Sequence, residues 1–239
     1  MAATDFGETW TYESIIGALP GIDVSNRLAL AIQVCVFEIG VLVLAWYYDL
    51  WGVAVAGTAV VAVAAIGSAE MLRVAGRIRT ARVPRAYRRL LFGSDIEVVL
   101  GVLAFVALLT YLFVPGPWGQ TPPIETLFGE RPPVLVVYLV LLILWDVCYR
   151  IGTGWWAAIT ALWRSYRYAF DPETARTFRL ADAENLLFGL VQLLLVPFVL
   201  DFPVLVAVLL AHVGAIVVVS ALSIWLLSAR ETDRAIATT

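Results

Sequence analysis

Residues 27–48 read RLALAIQVCVFEIGVLVLAWYY, and after only Asp49 and Leu50 residues 51–72 read WGVAVAGTAVVAVAAIGSAEML. Charges are almost absent from both runs. At 1.5 Å of rise per residue, about twenty apolar residues in a helix match the ~30 Å hydrocarbon core of a bilayer. A helix also satisfies its own backbone N–H and C=O groups, which hydrocarbon cannot do. Two such runs joined by two residues predict a helical hairpin through a membrane.

Comparable runs follow at about 96–115, 134–154, 184–200 and 204–228, making six spans in all. Of the 239 residues 62% are apolar and 15% charged, with mean hydropathy +0.89, too little charge to clothe a soluble domain of this size. The expected fold is all-α, a polytopic transmembrane helix bundle in the cell membrane. Its organisation is a cytoplasmic N-terminal segment (1–26), a six-span domain (27–228) and a cytoplasmic tail (229–239). The first residues lack the basic start of a cleavable secretory signal. Within the N-terminal segment Trp10, Tyr12, Ile15, Ile16 and Leu19 form one apolar stripe, predicting a short helix at the membrane surface that Pro20 and Gly21 end.

All sixteen basic residues are arginine. Without lysine there is no retinal Schiff base, no pyridoxal aldimine and no P-loop. Seven arginines crowd RVAGRIRTARVPRAYRR (73–89), and a second polar loop carries Arg164, Arg167, Arg176 and Arg179. With Arg27, Arg230 and Arg234 this side holds fourteen, against Arg131 alone on the other. Arginine-rich loops stay in the cytoplasm, so both termini are expected there. The basic loop would draw anionic lipid headgroups; nucleic acid is not an expected partner.

Three segments depart from simple spans. The apolar run from Val134 to Tyr168 is about 50 Å long as a helix, too long for one crossing, and Gly152 and Gly154 are the expected break. The second run has a similar basic tail through Arg89. The stretch PGPWGQTPPIETLFGERPP (115–133) is expected to lack regular structure. Arg89, Asp95, Glu97 and Leu100 match Arg176, Asp182, Glu184 and Leu187 at an offset of 87, as duplicated helical hairpins would. Both Asp-x-Glu motifs read as caps of helix N-termini, Ser94–Glu97 as a capping box.

An ionisable group inside hydrocarbon is a candidate for function. Glu38 lies eleven residues into the first span, about 16 Å from its cytoplasmic end. Asp146 and Arg150 share one helix face at i, i+4 and can pair. Similar depth predicts one intramembrane cluster of Glu38, Asp146 and Arg150. His212, the only histidine, is a hydrogen-bonding group of the bundle or a proton relay. Glu70 and Asp49, near span ends, are expected to reach water. Cys35 and Cys148 form no CxxC, so no redox pair or metal site is signalled. Nothing points to a catalytic residue or a cofactor.

GETWTYESIIGALPGID (7–23), RAYRRLLFGSDIEVVLG (85–101) and LWDVCYRIGTGWWAAITALWRSYRY (144–168) together resemble a family of small haloarchaeal multi-pass membrane proteins of unknown function. The resemblance implies a membrane location and an archaeal source and carries no site. The leading expectation is a non-enzymatic protein with a small-ion or proton-coupled transport role. Its rival is an interaction or assembly protein, as a homo-oligomer or with a membrane partner, and a lipid-handling enzyme comes third.

Overall fold

The computed structural model describes residues 9–11, 25–116 and 120–237, with side chains as far as Arg230. Its long elements are helices α1 (Asn26–Tyr48) and α2 (Trp51–Thr80), short α3 (Arg85–Phe92), α4 (Ile96–Phe113), one-turn α5 (Pro123–Phe128), α6 (Val134–Arg167), α7 (Pro172–Val191) and α8 (Pro203–Ala237). A 3-10 segment, Gln192–Phe198, extends α7. No strand occurs among the described residues. Counting α3 with α4, and α7 with its 3-10 extension, six helices are long and apolar enough to cross a membrane.

Local chemistry sets the ends. The Ser25 hydroxyl accepts the Leu28 N–H at 3.3 Å and opens α1. Asp49, at φ 54°, closes it in the left-handed region and turns the chain at once into α2. Pro84 has no N–H to donate and disfavours helix in the residue before it, so α2 stops at Thr80 and α3 starts afresh at Arg85.

Apolar side chains face outward over much of the surface, among them Leu28, Val36, Trp46, Val55, Leu103 and Leu210. Among the described residues two packed regions lie inside. A small one joins Val41 and Ala45 of α1 to Ala54 and Val61 of α2 and Ile143 of α6. The larger gathers Ile78, Tyr87, Leu91, Phe92, Phe178 and Leu227. It lies at the arginine-rich end, where the C-terminal parts of α2, α6 and α8 meet α3 and the start of α7.

Several expectations are corrected. Helix α6 runs through Gly152 and Gly154 without a break. Both glycines keep ordinary helical backbone and serve packing. A Cβ at Gly152 would sit 2.6 Å from the Glu97 carbonyl oxygen and 2.9 Å from Gly101 Cα. The polar loop after α6 is mostly helix, because Asp171 caps α7, which starts at Pro172, about twelve residues ahead of the expected span. In the 115–133 stretch α5 forms behind Pro122, with Pro123 in its first turn, where proline fits. The matched halves of the apparent repeat occupy different settings, Asp95 before α4 and Asp182 midway along α7. Trp10 is 1% exposed, packed edge-on against Phe92 at 5.1 Å and not on a surface stripe. The rest of that stripe, Tyr12 to Leu19, lies outside the described residues.

Candidate functional site

Helix α6 is the axis of the site. One turn separates Asp146 from Arg150, and Arg150 Nη2 donates to Asp146 Oδ1 at 2.6 Å, with each residue 3% exposed. Pairing along one helix neutralises both charges without help from another element, as the i, i+4 spacing implies. On the α2 side Arg150 Nη1 meets Met71 Sδ at 3.5 Å. Gly67 leaves room for this arrangement, since a Cβ there would collide with the Phe188 ring at 2.6 Å and approach Arg150 Cδ at 3.4 Å.

Beside the pair lies a cavity of about 10 Å³, lined by Trp10, Glu70, Met71, Arg150, Thr153 and Asn185 among others. That volume is the size of one water molecule. Glu70 is 5% exposed, which corrects the expectation that it reaches water. One of its carboxylate oxygens pairs with Arg73, and the other has no hydrogen-bond partner among the described residues. The Asn185 amide donates to the Gly154 carbonyl at 3.1 Å and ties α7 to this level of α6.

Glu38 is not part of this cluster. Its carboxylate accepts the Thr58 hydroxyl at 2.8 Å, across the α1–α2 hairpin. On α1 it is Gln33, and not Glu38, that lies beside Asp146. Glu38 faces α2 and not α6. His212 makes a separate contact: Trp155 Nε1 donates to its Nδ1 at 2.7 Å, so the neutral ring carries its proton on Nε2. That Nε2 is buried with no hydrogen-bond partner among the described residues.

Toward the arginine-rich end a second buried network appears that the sequence reading did not find. Arg164, fully buried, donates to Asp182 Oδ2 at 2.6 Å and to the Tyr87 hydroxyl at 3.2 Å. Its guanidinium lies 4.0 Å from the Phe178 ring centroid. Ser223 of α8 donates to the same Asp182 oxygen at 2.7 Å and contacts Ser165 at 2.9 Å. Nearby Arg77 grips Glu184 through two bonds, 2.9 and 2.7 Å. Asp182 and Glu184 are therefore ion-pair partners and not helix caps. The capping box at Ser94 does not form, because its hydroxyl donates to Leu90 O at 2.8 Å; Glu97, fully buried, does stand in the first turn of α4.

Gln33, Asp146, Arg150, the cavity, Glu70 and the Arg77–Glu184 pair thus occupy successive levels from the middle of the bundle to its arginine-rich end. The small cavity has no room for an organic substrate. Among the described residues no three His, Cys, Asp or Glu side chains converge on a metal position. No curated protein and no solved structure matches the chain. A family model described as a family of unknown function (DUF7530) matches residues 5–223.

Proposed function

The chain belongs to this family of unknown function, and from that premise we propose that it is a multi-pass membrane protein that moves protons or another small ion. Six helices cross the cell membrane, and both termini lie on the cytoplasmic side with the arginines. The fourteen-to-one arginine distribution supports that orientation. Arginine-only basicity in an acidic chain fits a salt-loving archaeal source.

The observation that carries the transport reading is the water-sized cavity shared by Glu70 and Arg150, next to the buried Asp146–Arg150 pair. Buried ionisable groups are costly in a membrane protein and mark ion or proton paths. Here Glu70 offers a carboxylate oxygen free to take a proton, and Arg150 holds Asp146 one turn away. The test is proton flux into liposomes that hold the purified protein and a pH-sensitive dye. Glu70→Gln with Asp146→Asn is expected to abolish flux, and undiminished flux in that double variant overturns the reading.

A second reading has its own observation. The largest buried side chains gather at the arginine-rich end, around Tyr87, Phe92, Phe178 and Arg164. A conduction path does not need such a packed body, whereas a docking platform does. Exposed Arg82, Arg85, Arg89 and Arg176 on that body suit anionic lipid headgroups or an acidic partner. Purification from native membranes tests it: a stoichiometric partner supports assembly, and recovery of the chain alone removes this reading.

A further inference from the structure

Trp10 is 1% exposed, yet Thr9 and Thr11 on either side of it are only half-buried. The indole therefore runs inward from the surface. Its inner side lines the Glu70–Arg150 cavity, and its flank meets Phe92. It belongs to none of the helices that surround the cavity.

What holds it is equally specific. The Thr11 hydroxyl donates to Asp95 Oδ1 at 2.8 Å and lies 3.4 Å from Glu97 Oε1. Asp95 precedes α4, where a carboxylate ordinarily caps the helix, but it makes no side-chain cap bond there. It also sits at φ 54°, a backbone region unfavourable for a residue with a Cβ. The carboxylate is thus turned from its own helix toward Thr11. Glu97 is fully buried beneath the same contact.

From these contacts we infer that Trp10 is a removable stopper, closing the Glu70–Arg150 cavity toward the arginine-rich surface and latched by Thr11 on Asp95 and Glu97. The idea rests on reading the cavity as part of an ion route. An indole fills far more volume than the cavity behind it, so its withdrawal would join the cavity to water.

The test reads access and not flux, so it can fail or succeed independently of the transport reading. A single thiol is placed in the cavity by Thr153→Cys, in the full chain with Cys35→Ala and Cys148→Ala. Its reaction with a small charged methanethiosulfonate is timed. Trp10→Ala is expected to speed labelling about tenfold or more, and Trp10→Phe to leave it near the parent rate. Thr11→Val keeps the indole and removes one hydrogen bond, so it is expected to speed labelling about fivefold, equivalent to ~1 kcal/mol. It decides the matter if Trp10→Ala does not fold. Parent-rate labelling in the folded variants overturns the stopper. Faster labelling without any proton flux keeps the stopper and removes the proton route.

Discussion

Arg164 has no exposed surface, and its neighbours each answer a different part of the guanidinium. Asp182 supplies the countercharge, Tyr87 an acceptor and Phe178 a ring face. Removing one partner leaves the other charge buried and alone, which costs about 3–5 kcal/mol. Arg164→Met is therefore expected to lower the thermal midpoint sharply, and Arg164→Met with Asp182→Leu to recover much of the loss. An unchanged midpoint in the single variant would show the network to be idle. The Asp146–Arg150 pair allows a sharper separation. Replacing both with leucine and methionine is expected to leave stability within about 1–2 kcal/mol while abolishing proton flux. Retained flux would mean that this pair only holds the bundle together. Asp146–Arg150 was legible because i, i+4 spacing within one helix is fixed by helix geometry alone. Arg164–Asp182 was not, since its partners lie on separate helices and meet only after the turn between them is known. Glu38 was misplaced for a related reason: distance along a helix is read from sequence, but the neighbour it faces is set by packing.

At the scale of elements, α4 and α6 touch backbone to backbone at Gly101 and Gly152. A Cβ at Gly101 would lie 3.1 Å from Tyr149 Cα. Gly152→Ala is expected to destabilise by about 1–3 kcal/mol by forcing the helices apart. Gly76, with nothing within 4 Å of its added Cβ, is the control: Gly76→Ala is expected to stabilise α2 by about 0.5–1 kcal/mol. Equal effects at the two positions would refute the close approach. The start of α7 titrates. The Asp171 carboxylate accepts the Thr174 N–H at 3.0 Å, and this bond holds its pKa below the ordinary value of 3.8. A lowered carboxylate pKa stabilises the fold above the unfolded value, and the stabilisation is lost as pH falls through the folded one. Asp171→Ala is therefore expected to melt earlier than the parent at neutral pH and to match it well below pH 3.8. A gap that persists in acid would assign the effect to something other than the cap. The existence of long apolar helices was legible from run length, whereas the early start of α7 was not. Its first twelve residues, 172–183, mix charged and apolar side chains, and such a stretch looks like loop until the cap and its buried partners are seen.

For the molecule as a whole, the six proposed crossings, an even number, would place both ends on one side. A reporter active only in the cytoplasm is expected to work when fused after Ala237 and to fail when inserted between Asp49 and Leu50. The opposite pattern would invert the proposed orientation. Composition showed the bundle at once, because hydropathy averages over many residues. The heavily packed arginine-rich end stayed hidden, because its core is assembled from short stretches far apart in the chain, from Trp10 to Leu227. That separation has a consequence for biosynthesis. Ser223, which completes the shell of Arg164 and Asp182, is made 59 residues after Arg164. At about 5–20 residues per second a ribosome needs roughly 3–12 s to cover that stretch. Throughout this interval the nascent chain carries an unfinished ion pair. On the proposed topology it waits on the watery side, where an incompletely shielded guanidinium is cheaply hydrated, and the last helix to emerge closes the structure.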